Sequence, residues 1–145
     1  MSSSPSSSPQ TVRRNGIILL CSMIITFALL RAFLHVAPNT DLNVGRYNIH
    51  HLFTGLLLIV MGGIPLAIFQ NQSRWLDLSR LIFGAGLGMA LDEWVFLIAT
   101  DGSNASYLLP VSFWGGVVVT GLACVYAAML MVCNRAGDQP GNRRD

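Results

Sequence analysis

Six ionisable side chains lie within or at the ends of the long apolar segments of this sequence, where they could carry chemistry. The stretch GAGLGMALDEWVFLIA, residues 84–99, places two adjacent acids in otherwise apolar surroundings. A charged group in hydrocarbon is costly, so it persists where it pairs, binds a ligand or faces water. The six residues are Arg31, His35, His50, His51, Asp92 and Glu93.

Imidazole and carboxylate groups together make a candidate metal site. Such a mixture of nitrogen and oxygen ligands suits zinc, iron or manganese, so the candidate cofactor is a divalent transition metal. The sequence has no HExxH motif and no repeated ExxH motif of the di-iron bundles, so the ligands would have to converge from several helices. The candidate ligands are His50, His51, Asp92 and Glu93.

Three other interpretations of the same residues remain open. Intramembrane acids, histidines and an arginine are also the components of proton relays, although here they occupy one half of the membrane only. A polar pocket could instead bind a lipid headgroup or a partner subunit, and Arg31 suits phosphate because guanidinium binds it bidentately. In a purely structural network, Arg31 would neutralise Asp92 or Glu93 and fix the helix register without any ligand.

Four apolar blocks must position these residues. A helix needs about 20 mostly apolar residues to span a membrane, and the connections between the blocks are short, which favours antiparallel neighbours. The sequence therefore predicts an all-α, integral membrane four-helix bundle with up-down topology. The blocks cover residues 16–36, 49–69, 80–100 and 107–133.

The ends of the blocks carry their own signals. Asn48 is a favourable N-cap for the second helix, and Pro110 suits the first turn of the fourth. Residues 1–15 are rich in Ser and Pro and are expected to form a disordered tail, as are residues 135–145 at the other end. The four-span domain is thus expected to occupy residues 16–134.

The arginines predict the orientation of the bundle. Positively charged segments stay in the cytoplasm, and Arg46 is the single arginine expected on the other side. Both termini are therefore predicted to be cytoplasmic, in a bacterial inner (plasma) membrane. Seven of the nine basic residues fall on the cytoplasmic side: Arg13, Arg14, Arg74, Arg80, Arg135, Arg143 and Arg144.

In that orientation the six ionisable residues all fall in the outer half of the bundle, given a helix rise of about 1.5 Å per residue. Gly84, Gly88 and Asp92 recur every four residues and share one face of the third helix, while Gly86 and Glu93 share another. Small residues at this spacing let helices approach closely. Asp92 and Glu93 are thus expected to contact different neighbours, or to flank one site from two sides.

Composition excludes several classes of protein. The chain is 52% hydrophobic and 11% charged, whereas soluble domains carry about 25% charged residues. The net charge is +2 and no basic cluster is interleaved with aromatics, so a nucleic-acid partner is not expected. No catalytic motif of soluble enzymes is present, which leaves open whether the protein is an enzyme. The expected partners are membrane lipid and a second membrane chain, either another copy or a partner subunit.

The second block begins YNIHHLFTGLLLIV, and the third contains RLIFGAGLGMALDEWVFLI. These stretches resemble a family of small, uncharacterised bacterial integral membrane proteins with an IHH…G helix start and a GxGLG…DE helix. The resemblance implies no activity, but it implies that the His-His and Asp-Glu pairs belong to one site. The matching positions are His50, His51, Gly55, Gly86, Gly88, Asp92 and Glu93.

Overall fold

The computed structural model describes residues 9–37, 43–44, 47–48, 51–69 and 73–136. Within these residues four helices are long and apolar enough to cross a membrane, which confirms the predicted number of spans and an all-α integral membrane protein. The elements are, in chain order, α1 (Pro9–Val36), β1 (Asn43–Val44), β2 (Tyr47–Asn48), α2 (His51–Ile68), α3 (Arg74–Ala99), α4 (Asn104–Tyr107) and α5 (Pro110–Ala136).

Two helices begin earlier than the sequence predicts. Helix α1 begins at Pro9, so residues 9–15 are helical although a disordered tail is expected there. Helix α3 begins at Arg74 because Ser73 caps it, its Oγ accepting from the Leu76 N–H at 3.3 Å. Asp77 in the first turn adds a favourable interaction with the helix dipole. The expected tails at residues 1–8 and 137–145 lie outside the described residues.

The connection between α1 and α2 differs from the prediction that Asn48 caps the second helix. Asn48 instead pairs with Asn43 in a two-residue antiparallel ladder, in which Val44 pairs with Tyr47. Helix α2 begins three residues later, at His51. The backbone of Asn48 is thus engaged in the ladder and not in the start of α2, so the predicted cap is wrong.

Helix α3 is the central element, because it packs against α1, α2 and α5. Its glycines permit the close approach on two faces. A Cβ atom added at Gly84 would lie 2.6 Å from the Leu19 carbonyl oxygen of α1, and one at Gly88 would lie 2.5 Å from that of Met23. On the other face, a Cβ atom at Gly86 would lie 2.6 Å from the Gly55 carbonyl oxygen of α2.

Polar side chains are among the most deeply buried residues of this bundle. Large hydrophobic residues on all the spanning helices are exposed, as lipid-facing surfaces require. By contrast, Asp92 is 0% exposed, Glu93 1% and Ser112 0%. The centre of the bundle therefore contains the charged residues that the sequence places in apolar surroundings.

Candidate functional site

The first part of the site is an ion pair between α1 and α3. Arg31 Nε donates to Asp92 Oδ1 at 2.5 Å, and the Arg31 side chain is 10% exposed. Opposite charges that are both removed from water interact strongly, and the attraction offsets much of the desolvation cost only when further hydrogen bonds complete the site. The surroundings of the guanidinium group supply those bonds.

All three guanidinium nitrogens of Arg31 donate to protein acceptors. Nη1 donates to the Tyr107 carbonyl oxygen at 3.4 Å and to Ser112 Oγ at 3.3 Å. Nη2 donates to the Ser112 carbonyl oxygen at 3.0 Å and to the Asp92 carbonyl oxygen at 3.3 Å. The guanidinium carbon also lies 4.4 Å from the centre of the Tyr107 ring, within cation–π range. Arg31 is therefore occupied by the protein itself, which disfavours the interpretation that it binds a phosphate.

Tyr107 completes the coordination of Asp92. Its hydroxyl group donates to Asp92 Oδ2, the oxygen that Arg31 Nε does not contact. The ring packs edge-to-face against Phe96 at 5.1 Å and His51 at 5.9 Å between centroids. Both carboxylate oxygens of Asp92 thus have a donor, and α1, α3 and the α4–α5 segment meet at one residue.

The short turn before α5 positions Tyr107. Ser103 caps α4, and its Oγ accepts from the Ser106 N–H at 3.4 Å. Asp101 accepts from the Ser103 N–H at 3.1 Å, and hydrogen bonds from Ser106 and Ser103 hold the pKa of Asp101 below its usual range. Pro110 is the first residue of α5, as the sequence predicts, where its missing N–H costs little.

Glu93 faces α2 instead of α1. Glu93 Oε2 accepts from the Leu52 backbone N–H, in the first turn of α2. That N–H has no partner within its own helix, and the positive end of the helix dipole favours a carboxylate there. Glu93, the single glutamate of the chain, therefore caps α2 from a neighbouring helix.

His51 lies beside this cap. Its Nε2 is 3.6 Å from Glu93 Oε1, which is too long for a hydrogen bond, and the side chain is 21% exposed. Nε2 itself is buried without a hydrogen-bond partner in the described part of the chain. The imidazole thus presents a nitrogen to a buried carboxylate without bonding to it directly.

The structure brings most of the predicted residues together, in two adjoining groups. Arg31 and Asp92 form one group, and His51 and Glu93 form the other. His50 lies outside the described residues. His35 is expected one turn above Arg31 on the same face, but it is exposed and lines a cavity of about 570 Å³, with no hydrogen bond or ion pair to either acid among the described residues.

Few side chains among the described residues are placed to bind a metal ion. These residues contain no group of three or more His, Cys, Asp or Glu side chains that could hold an ion. Asp92 fits poorly, since both of its oxygens already accept from Arg31 and Tyr107. Glu93 accepts from the Leu52 N–H, and His51 Nε2 beside it is a buried nitrogen without a hydrogen-bond partner in the described part of the chain.

Two residues of the site are not among those predicted from the sequence. Ser112 accepts from Arg31 through both its hydroxyl and its carbonyl oxygen, and Tyr107 binds both Arg31 and Asp92. Ser112, Gly116 and Thr120 recur every four residues in the fourth block, a spacing that marks one face and could have indicated Ser112. Tyr107 precedes the helix and has no comparable periodic signal.

Comparison of the chain with protein-family models, with curated proteins and with solved structures gives no match.

Proposed function

We propose that the chain is a non-catalytic, four-span subunit of a bacterial inner membrane, which acts by holding a defined helix arrangement for lipid or a partner chain. The membrane assignment draws on the resemblance to small bacterial membrane proteins. The observation that carries the proposal is the closure of the Arg31 network. Its charges and hydrogen-bonding groups are satisfied by Asp92, Tyr107 and Ser112, so its chemistry is directed to the protein and not to a substrate.

We further propose an up-down bundle with both termini in the cytoplasm. The order of contacts supports the topology. Gly84 and Gly88 of α3 meet Leu19 and Met23 of α1 in the same chain direction. Along α2 the direction reverses, since Gly55 meets Gly86 whereas Gly62 meets Phe83. Reporter fusions at each terminus and at residue 102 test the orientation. A reporter that is active only in the periplasm should be active when fused at residue 102. The same reporter should be inactive when fused at either terminus.

The test of the closed network compares single and paired neutralisation. Arg31→Gln leaves a buried carboxylate unpaired, and Asp92→Asn leaves a buried guanidinium unpaired, so each should reduce the yield of folded, monodisperse protein from membranes. The double variant removes both charges and should restore that yield. A ligand-binding or catalytic site predicts instead that each single variant folds normally and that the double variant gains nothing.

A second candidate function, the metal-binding pocket, is favoured by one specific observation. Among the described residues His51 Nε2 has no hydrogen-bond partner, and it lies buried 3.6 Å from Glu93 Oε1. A metal ion between these atoms would need further ligands, for which His50 is the nearest candidate in sequence. This candidate would leave the Arg31 network with its structural role.

Elemental analysis of the purified protein separates the two candidates. A metal pocket predicts stoichiometric zinc, iron or manganese in the wild type and its loss in folded His51→Ala. His35→Ala is the matched control, because His35 is exposed and contacts neither acid. Absence of metal from the wild-type protein isolated without chelator would reject this second candidate.

A further inference from the structure

A second polar group lies at the other end of the bundle, where two arginines share one acid. Arg80 Nη1 donates to Asp77 Oδ1 at 2.9 Å, and Arg14 Nη2 donates to Asp77 Oδ2. One carboxylate therefore neutralises only one of the two guanidinium groups, and the three residues together carry a net charge of +1. Arg13, at the same end of α1, adds to the positive potential.

A cavity of about 330 Å³ opens beside this group, bounded by α1, α2, α3 and α5. We call it the inner cavity. One end of the cavity is polar and the other is apolar. Asn15 of α1 and Asn134 of α5 line the polar end. Leu19 and Leu130 line the cavity one turn further toward the middle of the membrane. Arg80 of α3 also lines the cavity.

We propose that the inner cavity binds an anionic phospholipid, with the lipid phosphate at Arg80 and an acyl chain against Leu19 and Leu130. Arg14, Asp77 and Arg80, here called the arginine group, carry a net charge of +1. A phosphodiester carries a single negative charge and so matches it. Guanidinium has five N–H donors, and Arg80 uses two of them on Asp77 Oδ1 and on the Asn15 amide oxygen, so others remain for phosphate oxygens. The Asn134 amide adds a neutral donor. Basic pockets between spanning helices are suited to anionic headgroups for this reason.

Two of the cavity's own residues allow charge and volume to be tested separately. Arg80→Gln removes the charge that faces the cavity. Ala127→Leu fills part of the cavity while Arg14, Asp77 and Arg80 stay as they are. Each change has a matched control that does not line the cavity: Arg74→Gln is an exposed arginine at the same end, and Ala128→Leu is the exposed neighbour of Ala127.

The experiment is lipid binding in nanodiscs of phosphatidylcholine that contain a minor fraction of phosphatidylglycerol. Lipids retained by the protein are counted by native mass spectrometry. We expect the wild type and both controls to retain one phosphatidylglycerol selectively. Arg80→Gln should weaken that binding about fivefold, the effect of losing one arginine near an anionic headgroup. Ala127→Leu should weaken it by at least as much, because the acyl chain no longer fits.

Two outcomes would overturn the proposal. Equal retention of phosphatidylcholine and phosphatidylglycerol by the wild type would show that the protein does not recognise the charge of the headgroup. Equal selectivity in the wild type and in folded Ala127→Leu would remove the cavity from the binding site, even where Arg80→Gln fails to fold. Glycerol phosphate is the soluble probe of the same chemistry. If it binds in detergent without lipid, and Ala127→Leu retains that binding, the arginine group binds free phosphate and not a lipid.

Discussion

Asp92 and Glu93 are consecutive residues, yet their carboxylates stabilise contacts with different helices. Asp92 accepts from Arg31 on α1 and from the Tyr107 hydroxyl group, whereas Glu93 accepts from the Leu52 N–H at the start of α2. Adjacent residues of a helix point about 100° apart, and α3 has neighbours in both directions. One dipeptide therefore links the central helix to the three elements around it.

Removal of the Tyr107 hydroxyl group should destabilise the bundle while the aromatic packing remains. Tyr107→Phe deletes the donor to Asp92 Oδ2 and keeps the ring against Phe96 and His51. A hydrogen bond to a charged group contributes about 1.5–3 kcal/mol, so unfolding in detergent should lose that much free energy. Tyr126→Phe, at an exposed position, is the control and should leave the stability unchanged. Equal stability of Tyr107→Phe and the control would count against this role for the hydroxyl group.

Loss of the Glu93 carboxylate should open the first turn of α2. Glu93→Leu removes the acceptor of the Leu52 N–H, and loss of a helix cap costs about 0.5–2 kcal/mol. Hydrogen exchange at Leu52 should therefore accelerate, whereas Glu93→Gln, which keeps an acceptor oxygen, should have a smaller effect. Ser73→Ala removes the local cap of α3 and should accelerate exchange at Leu76 only. Unchanged exchange at Leu52 in Glu93→Leu would show that the cap has no energetic weight.

A methyl group on the α2 face of α3 should separate these two helices. The Cβ atom of Gly86→Ala would lie 2.6 Å from the Gly55 carbonyl oxygen and 2.7 Å from the Ile59 nitrogen, both backbone atoms that cannot rotate away. Overpacking of this kind costs about 1–3 kcal/mol in thermal or denaturant unfolding. Gly121→Ala is the matched control, because no atom lies within 4 Å of its added Cβ. Similar stabilities for the two variants would mean that α2 and α3 do not approach as closely as described.

The sequence predicts the four apolar helices and offers Asp92 or Glu93 as a partner for Arg31, because both inferences follow from strong constraints. Each span must be apolar over about 20 residues, and a charged group among such residues must find a partner. The helical periodicity also separates Asp92 from Glu93, as the structure shows in their different neighbours. These inferences need only the repeat of the helix and the cost of burying a charge.

The partners beyond Arg31 could not be read from the sequence, because they depend on where helices end. Tyr107 reaches Asp92 through the turn between α3 and α5, and its position is set by the Ser103 cap. Helical periodicity predicts nothing for a side chain that precedes the helix. His35 shares a helical face with Arg31 but its side chain is exposed, so spacing alone overstates its part in the site.

The central claim is that the Arg31–Asp92 pair holds the helices together, and the most direct test is the coupling free energy between the two residues. Unfolding in detergent is measured for the wild type, Arg31→Gln, Asp92→Asn and the double variant. Each single variant leaves one lone buried charge and should lose about 3–5 kcal/mol. The double variant leaves none and should lose much less than the sum of the two single losses. The exposed pair Arg14–Asp77 is the control, with a coupling of at most about 1 kcal/mol. Losses at Arg31 and Asp92 that simply add would contradict the account.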